Sequence, residues 1–567
     1  MNSGDVLSLC KRRGFLWPAY EIYGGVGGMY DYGPLGTPFK NNIIEEWRRA
    51  YTLGEGFIEI DGPTVSPEEV FKASGHVEEF SDALVSCRSC LANYRADHLL
   101  TDHHENPDAL SEEEMMALLQ EYGIRCPECE GELTQVEQFN LMFSTTIGPG
   151  SGRTGYLRPE TAQGIFVNYI PFYRFMREKL PFGVIQIGRG YRNEISPRQG
   201  MIRLREFNMM EAELFVDPEN KDWPNFPRVK DKLVRLVPSD GEEVEIELEE
   251  AVNRGIIAHP TIAYFMYFTQ EFLTSVGVDP DRLRFRQHLS TEMAHYAADC
   301  WDAEALLTYG WTELVGIADR GCWDLSRHIE YSDSDLTAFK RYEEPKEVER
   351  RVIKPDYGLL GPKYKSLSAK IGKALEETDP EEAQGDTVTV QVEGKEMHID
   401  SRYYQVVTQR EKVSGEKVIP HVIEPSHGLD RIIYTCLEHA YSENDDGYMV
   451  LRLKPHVAPI KVGVFPLMSK DGLDEKAAEL DRSLRLSGLP TYYDDSGSVG
   501  RRYARMDEIG TPWCITVDYE TLENGTVTIR DRDTAEQVRV DSWEMPSIIN
   551  ALLCGSSFDE LKRKTGA

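Results

Sequence analysis

The stretch QIGRGYRNEISPRQGMIRLREFNMMEAELF, residues 186–215, constrains this chain more than any other. IQIGRGYRNE reads as a strand, SPRQG (196–200) as an exposed turn, and IRLREFNMMEAELF as a returning strand. In such a hairpin, period-2 alternation sends Arg192 and Glu194 to one face, and Arg203, Arg205 and Phe207 likewise to one face. Arginines, an acid and an aromatic on a sheet face suit a polyphosphate carrying a flat base. Arginine offers forked donors to phosphate oxygens, and Phe207 offers a stacking surface. Composition alone leaves a second reading open, a solvated face with routine ion pairs.

The charge balance tests this. Sixty-three Lys and Arg against 96 Asp and Glu leave the 567-residue chain at −33. At 41% hydrophobic and 28% charged it is ordinary globular material, neither disordered nor membrane-like. At about 150 residues per domain it has room for three or four domains. Evenly spread, −33 would argue against nucleic acid, because phosphate binding wants Lys and Arg. The spread is uneven. Block 141–217 holds 10 bases and 7 acids, whereas block 63–140 holds 4 bases and 17 acids. Residues 401–454 are close to neutral, so chemistry is expected there and in 141–217.

No apolar run long enough for a signal peptide follows Lys11, Arg12 and Arg13, so none is expected. The nearest approach to a membrane span, 255–273, is interrupted by His259, Pro260, Gln270 and Glu271. Ten cysteines are too few for a disulfide scaffold and suit a reducing cytoplasm. Four of them form Cys87-x-x-Cys90 and Cys126-x-x-Cys129, separated by 35 residues. Two such knuckles suit tetrahedral Zn²⁺ held by four thiolates in a structural role, since no position is left for water. The alternative is four buried reduced cysteines in a degenerate ribbon.

Local signals indicate a mixed α and β chain. SEEEMMALLQEYG, 111–123, predicts a helix with Ser111 as N-cap and Glu114 closing a capping box. Strand alternation appears at 242–248 and at 387–399, with Glu393-Gly394 as a turn. Residues 460–467 and 513–518 read as buried strands, 526–540 as a hairpin, and 41–52 and 471–487 as helices. An α/β module is expected from the Pro455–Pro459 junction onwards. The glycine-rich EIYGGVGGMYDYGPLG at 21–36 lacks a following Gly-Lys-Ser/Thr, so it is not a Walker loop.

RNE at 192–194 with REF at 205–207 resembles motif 2 of class II aminoacyl-tRNA synthetases. Within that class the chain is similar to the glycyl-tRNA synthetases of the archaeal and eukaryotic dimeric type. Supporting segments run its length: SGHVEEFSD (74–82), YRADH (94–98), YLRPETAQGIF (156–166), RFRQHLSTEMAHYAADCWDAE (284–304), ELVGIADRGCWDLSRH (313–328) and VIEPSHGLDRI (422–432). The resemblance implies an α+β fold: an antiparallel sheet core flanked by helices, with insertions and a C-terminal α/β anticodon-binding domain. The expected blocks are 1–62 with motif 1, 63–140 as an acidic insertion, and 141–217 with motif 2. Next come 218–400, with insertions around core segment 284–328, 401–454 with motif 3, and the anticodon-binding domain at 455–567. Helix 38–51 and strand 57–61 would build the interface of a homodimer.

The resemblance also implies an activity, the ATP-dependent joining of glycine to tRNA(Gly), with Mg²⁺ accompanying ATP and no membrane partner. Arg192 would grip the α-phosphate, Arg203 the outer phosphates, and Glu194 the adenylate or the terminal adenosine. Phe207 and Arg431 would sandwich adenine, and Arg192, Glu194 and Arg431 would be the catalytic set. Asn193, Ile202, Leu204, Arg205, Glu206, Glu313, Leu314 and Arg320 complete the implied ATP site, with Glu313 also suited to Mg²⁺. For glycine the implied contacts are Arg95, Glu160, Glu211, Glu424, Pro425 and Ser426. The substrate has no side chain to grip, so its ammonium must be held by carboxylates and hydroxyls while a wall clashes with any methyl. His427 and Asp430 depart from the class pattern, where an aromatic and a glycine are common. In GRRYARMDEIGTP (500–512), Arg501, Arg502 and Arg505 beside Tyr503 are candidate tRNA contacts. Two rivals remain: a synthetase for another small amino acid, and a non-catalytic relative such as a DNA polymerase accessory subunit. Retention of Arg192, Glu194, Glu313 and Arg431 together speaks against the second.

Overall fold

A computed structural model describes residues 3–104, 107–150, 152–197, 200–289, 298–383, 385–444 and 447–565. Arg198 and Gln199 of the expected turn, and 290–297 of the 284–304 segment, lie outside the described residues.

The chain's alternating strands assemble one large sheet from β1 (Ile58–Ile60), β2 (Phe182–Tyr191), β3 (Glu206–Val216), β4 (Leu233–Val237), β5 (Val244–Glu247), β6 (Leu283–Gln287), β7 (Asp299–Leu307), β8 (Gly310–Gly321) and β9 (His421–Gly428). Their spatial order is β5-β4-β6-β7-β8-β9-β3-β2-β1. From β6 to β2 every pairing is antiparallel, and only β1 with β2 and β4 with β6 run parallel. The α+β, antiparallel-core class read from the sequence is the class observed.

Alternation splits this sheet into two chemically different faces. Met210, Ala212 and Leu214 of β3 are fully buried in the main apolar core. That core includes residues of α1 (Gly36–Arg49), α2 (Pro260–Val276) and α3 (Leu429–Ala440). The other parity, Phe207, Met209, Glu211 and Glu213, faces the opposite way. Register carries its polar row across six strands as Gln186–Glu211–Ser426–Gly316–Asp302–Arg286. Helix α2 is the apolar 255–273 segment: Pro260 starts it and Gly277, at φ +120°, stops it. Among the described residues no helix is long and apolar enough to cross a membrane.

Smaller pieces follow their local signals. Helix Glu112–Glu121 carries the full capping box of Ser111 and Glu114. It packs with strands Ser81–Ser86, Asn93–Arg95 and Glu137–Asn140 through Val85, Tyr94, Met115 and Leu119. Toward the C-terminus, β10 (Val462–Pro466), β11 (Thr491–Tyr493), β12 (Trp513–Val517), β13 (Thr526–Asp531) and β14 (Gln537–Asp541) form a sheet in the order β11-β10-β12-β13-β14. Leu480, Leu484 and Ile549 pack against its Val464 and Ile515.

Thr337–Val418 is a separate compact unit. Strands Ala338–Pro355 and Tyr404–Val418 pair along their length, and Ile353, Leu360, Ile371, Leu375 and Val390 give the unit its own core. Within it Glu393 and Gly394, both at positive φ, turn hairpin 387–400 as the sequence predicts. Residues 401–418, assigned from the sequence to the block with motif 3, belong to this unit. Their hydrogen-bond partners are 338–355, and the chain rejoins the large sheet only at His421.

Candidate active site

Strand β2 ends at Tyr191 and β3 begins at Glu206, so the arginines between them lie in a loop rather than on the strands expected. The ladder stops because the glycine-rich segment takes over its partner: the Arg205 N–H donates to Gly28 O at 2.8 Å. Gly28 sits at φ +72°, and a Cβ there would lie 2.7 Å from Pro197 Cγ. Only glycine permits that approach.

Below this loop is a pocket lined by Arg192, Arg203, Phe207, Glu313, Leu314 and Arg431, together with Glu194, Ile202, Leu204, Ser426 and Gly428. The Arg192 guanidinium lies 5.3 Å from the ring centres of both Phe207 and Phe80. Arg203 Nε is 3.7 Å from Glu194 Oε2. Burial raises the Glu194 pKa, while Arg203 and Arg192 oppose that shift. Arg431 is held by Ile202 O at 3.0 Å and by Glu313 O and Oε2, both at 2.9 Å. Three arginines and an aromatic ring thus share one cavity.

Beyond it the same sheet face becomes acidic. Glu211, buried, accepts from the Thr161 N–H at 2.5 Å and from its hydroxyl, and Ser426 Oγ donates to Glu211 Oε1 at 3.0 Å. Burial, then Glu424 and Glu160, push the Glu211 carboxyl up to about 7. Glu160 accepts from Gln163 Nε2 at 2.9 Å and has His76 Nε2 at 3.7 Å and Arg320 Nη2 at 3.9 Å. Burial opposes its ionisation, but His76, Arg320 and Gln163 outweigh that and hold its pKa well below the carboxylate range. Glu213 is fully buried with no hydrogen-bond partner for either oxygen among the described residues, and burial next to Glu424 keeps its pKa well above the usual value. Arg320 donates to Glu424 Oε2 at 2.9 Å and to both Asp324 oxygens. Carboxylates outnumber cations here, an arrangement that accepts an ammonium ion.

Several sequence expectations are corrected. Arg205 donates to Glu194 O and Gly27 O, so its guanidinium is spent on backbone carbonyls. Glu206 has the opposite parity to Phe207 and pairs with Arg189. The Asn193 N–H bonds to Leu141 O, away from the pocket. Arg320 belongs to the acidic cluster rather than the arginine pocket. Pro425 alternates to the apolar face between Glu424 and Ser426. Arg95 pairs with Asp82 at 3.0 Å and with Asp97. Thr161, Gln163 and Asp324 were missed. The first two follow Glu160 in RPETAQG, and their place in that motif was the available signal.

The two departures in motif 3 have structural reasons. His427 is fully buried among Trp47, Tyr51 and Phe272, at ring distances of 5.5, 6.1 and 5.6 Å. Burial pushes its pKa down to about 3, so it packs as a neutral aromatic. Asp430 accepts from Asn208 N at 2.5 Å and Nδ2 at 2.9 Å, and from Tyr32 Oη.

The four knuckle cysteines converge. Cys87 and Cys129 sulfurs are 3.4 Å apart and Cys90 and Cys126 sulfurs 3.5 Å apart, beyond disulfide length and near the separation a shared tetrahedral ion imposes. Leu91 and Glu130, each following the second cysteine of its pair, both adopt left-handed φ (61° and 57°), so the knuckles share one turn geometry. In the C-terminal module Arg501 is exposed. Arg502 is buried and bonded to the carbonyls of Pro466, Asp495 and Gly497, which removes it from any RNA-facing set. Arg505 is tied to Asp494, and Tyr503 bonds Thr516 beneath Arg530.

Residues 149–440 match the family described as the tRNA synthetase class II core domain (G, H, P, S and T), and 461–552 match an anticodon binding domain. The fold and site are thus those of a class II tRNA synthetase. The glycine–tRNA ligase of Methanothrix thermoacetophila is 52% identical over 97% of both chains. That of Archaeoglobus fulgidus is 50% identical over 98% of this chain and 97% of its own. At 14% identity and TM-score 0.52, Giardia lamblia prolyl-tRNA synthetase in complex with prolyl-adenylate shares the fold across 96% of this chain and 74% of its own. The chain belongs to the glycine–tRNA ligase family.

Proposed function

We propose that the chain activates glycine with ATP and transfers it to tRNA(Gly) using the two adjoining halves of this sheet face. A glycine carboxylate oxygen attacks the α-phosphorus, the α–β bridging bond breaks, and pyrophosphate leaves. The 3′-terminal adenosine hydroxyl then attacks the glycyl carbonyl and AMP departs. Arg192 takes the α-phosphate and Arg203 the outer phosphates. Phe207 and Arg431 hold adenine, and Glu313 offers the hard carboxylate oxygen that Mg²⁺ with ATP prefers. Glu160, Glu211, Glu424 and Ser426 receive the ammonium. Positioning and charge neutralisation supply the rate, with no obligatory general base. The observation that carries this reading is the continuity of an arginine-lined pocket with a buried acid cluster along one strand row.

Three further parts belong to the same proposal. Cys87, Cys90, Cys126 and Cys129 hold a structural Zn²⁺. A homodimer forms through the region of α1 and β1. The enzyme works in the cytoplasm, where the zinc thiolates and the six remaining cysteines stay reduced. Pyrophosphate exchange with ATP is the test. We expect exchange that depends on glycine and not on alanine or serine, with Arg192→Ala losing at least about a hundredfold. Exchange dependent on serine or alanine alone, or full activity of Arg192→Ala, would overturn the reading. Metal analysis of the purified protein should return one zinc per chain.

A further inference from the structure

The turn SGHVEEFSD has no role in the reading above, yet it touches both halves of the site. Gly75, at φ +78°, leads into the short helix His76–Glu79. His76 is nearly buried, its ring set edge-on to Phe71 and Phe80 at 6.0 and 5.4 Å. Ser74 Oγ lies 2.8 Å from His76 Nδ1, which fixes the ring so that Nε2 faces Glu160 Oε2. Gln163 holds the other Glu160 oxygen, so the carboxylate is pinned from two sides. Four residues on, the Phe80 ring meets the Arg192 guanidinium, which also lies against Phe207. Asn140 fastens the turn, donating to the carbonyls of His76 and Val77 at 3.2 and 3.0 Å. Its neighbour Leu141 accepts from the Asn193 N–H, beside Arg192. The turn is therefore tied to the loop it serves.

We propose that Ser74–Phe80 is a two-ended positioning element for the activation step, in which His76 holds Glu160 for the glycine ammonium and Phe80 holds Arg192 for the α-phosphate. This rests on the function proposed above. A ring nitrogen facing a carboxylate and a ring laid against a guanidinium each remove freedom that binding would otherwise have to freeze. Because the two ends face different substrates, damage to each should appear in a different kinetic constant.

Pyrophosphate exchange by the full-length chain separates them. His76→Ala should raise the glycine KM about tenfold and leave the ATP KM within about twofold. His76→Gln, which still offers an N–H to Glu160, should recover most of that loss. Phe80→Ala should do the reverse, raising the ATP KM or lowering kcat about tenfold at an unchanged glycine KM, with Phe80→Tyr close to the parent. Thermal melting of each variant accompanies the kinetics. An unchanged glycine KM in His76→Ala overturns the inference. So does a rise of both constants together in both variants with a lowered Tm, which would mark the turn as merely structural. Loss of glycine-dependent exchange in the parent would instead defeat the function itself, and the two failures are distinguishable.

Discussion

Glu211 shows how much a single residue's environment contributes. Its carboxyl titrates near 4.5 in an unfolded chain and near 7 in the fold, because burial and two neighbouring acids penalise the charge. The folded state therefore binds the proton more tightly and loses stability as pH rises from about 4.5 to about 7. Glu211→Gln should melt higher than the parent at pH 8, with the advantage gone at pH 5, as scanning calorimetry would show. The same variant should raise the glycine KM, since an amide offers the ammonium less. At this scale the motif resemblance singled out Glu160, Glu211 and Glu424, which do lie together, but not Glu213 or Asp324 beside them. The roles of Arg205, Arg320 and Arg502 were not legible. An arginine looks the same in a sequence whether it faces phosphate, a carboxylate or a backbone carbonyl, and only packing decides among them.

Elements were read well where the signal is local. The Ser111–Glu114 capping box and the Glu393-Gly394 turn depend on residues within a turn of one another, and both are present. The motif 2 hairpin was read correctly in kind but not in extent. Alternation continues through Arg203 and Arg205, yet the strand does not begin until Glu206. A competitor 177 positions away in sequence, Gly28, accepts the Arg205 N–H and ends the ladder. Gly28→Ala would press a Cβ into Pro197 at a φ that L side chains avoid. It should raise the ATP KM about tenfold and lower Tm by several degrees, leaving the glycine KM nearly unchanged. Equal effects on both substrates would mean that the glycine-rich segment does not act through this loop.

For the whole molecule, the unit Thr337–Val418 is the part least visible beforehand. Its long hairpin pairs Ala338 with Val418, so the chain leaves and returns at adjacent points. With its own core it should be dispensable for adenylate formation. Replacing 338–418 by a short Gly-Ser linker should keep glycine-dependent pyrophosphate exchange within about threefold of the parent. Loss of exchange in a folded variant would place the unit in the activation step. The net charge of −33 also acquires a structure. Part of the acid excess is buried at Glu211, Glu213 and Glu424, and part lies in block 63–140, so RNA must be met by local basic patches rather than by the surface as a whole.

By itself the sequence determined the class of fold and the pairing of the four cysteines into two knuckles, because each is written in residue types at short spacing. Only the tertiary structure decided which arginines remain available to a ligand and why His427 is tolerated among aromatic rings. It also decided that the Ser74–Phe80 turn reaches both halves of the site. Those outcomes depend on contacts between residues far apart in the chain, and burial and hydrogen-bond competition there have no counterpart in local pattern.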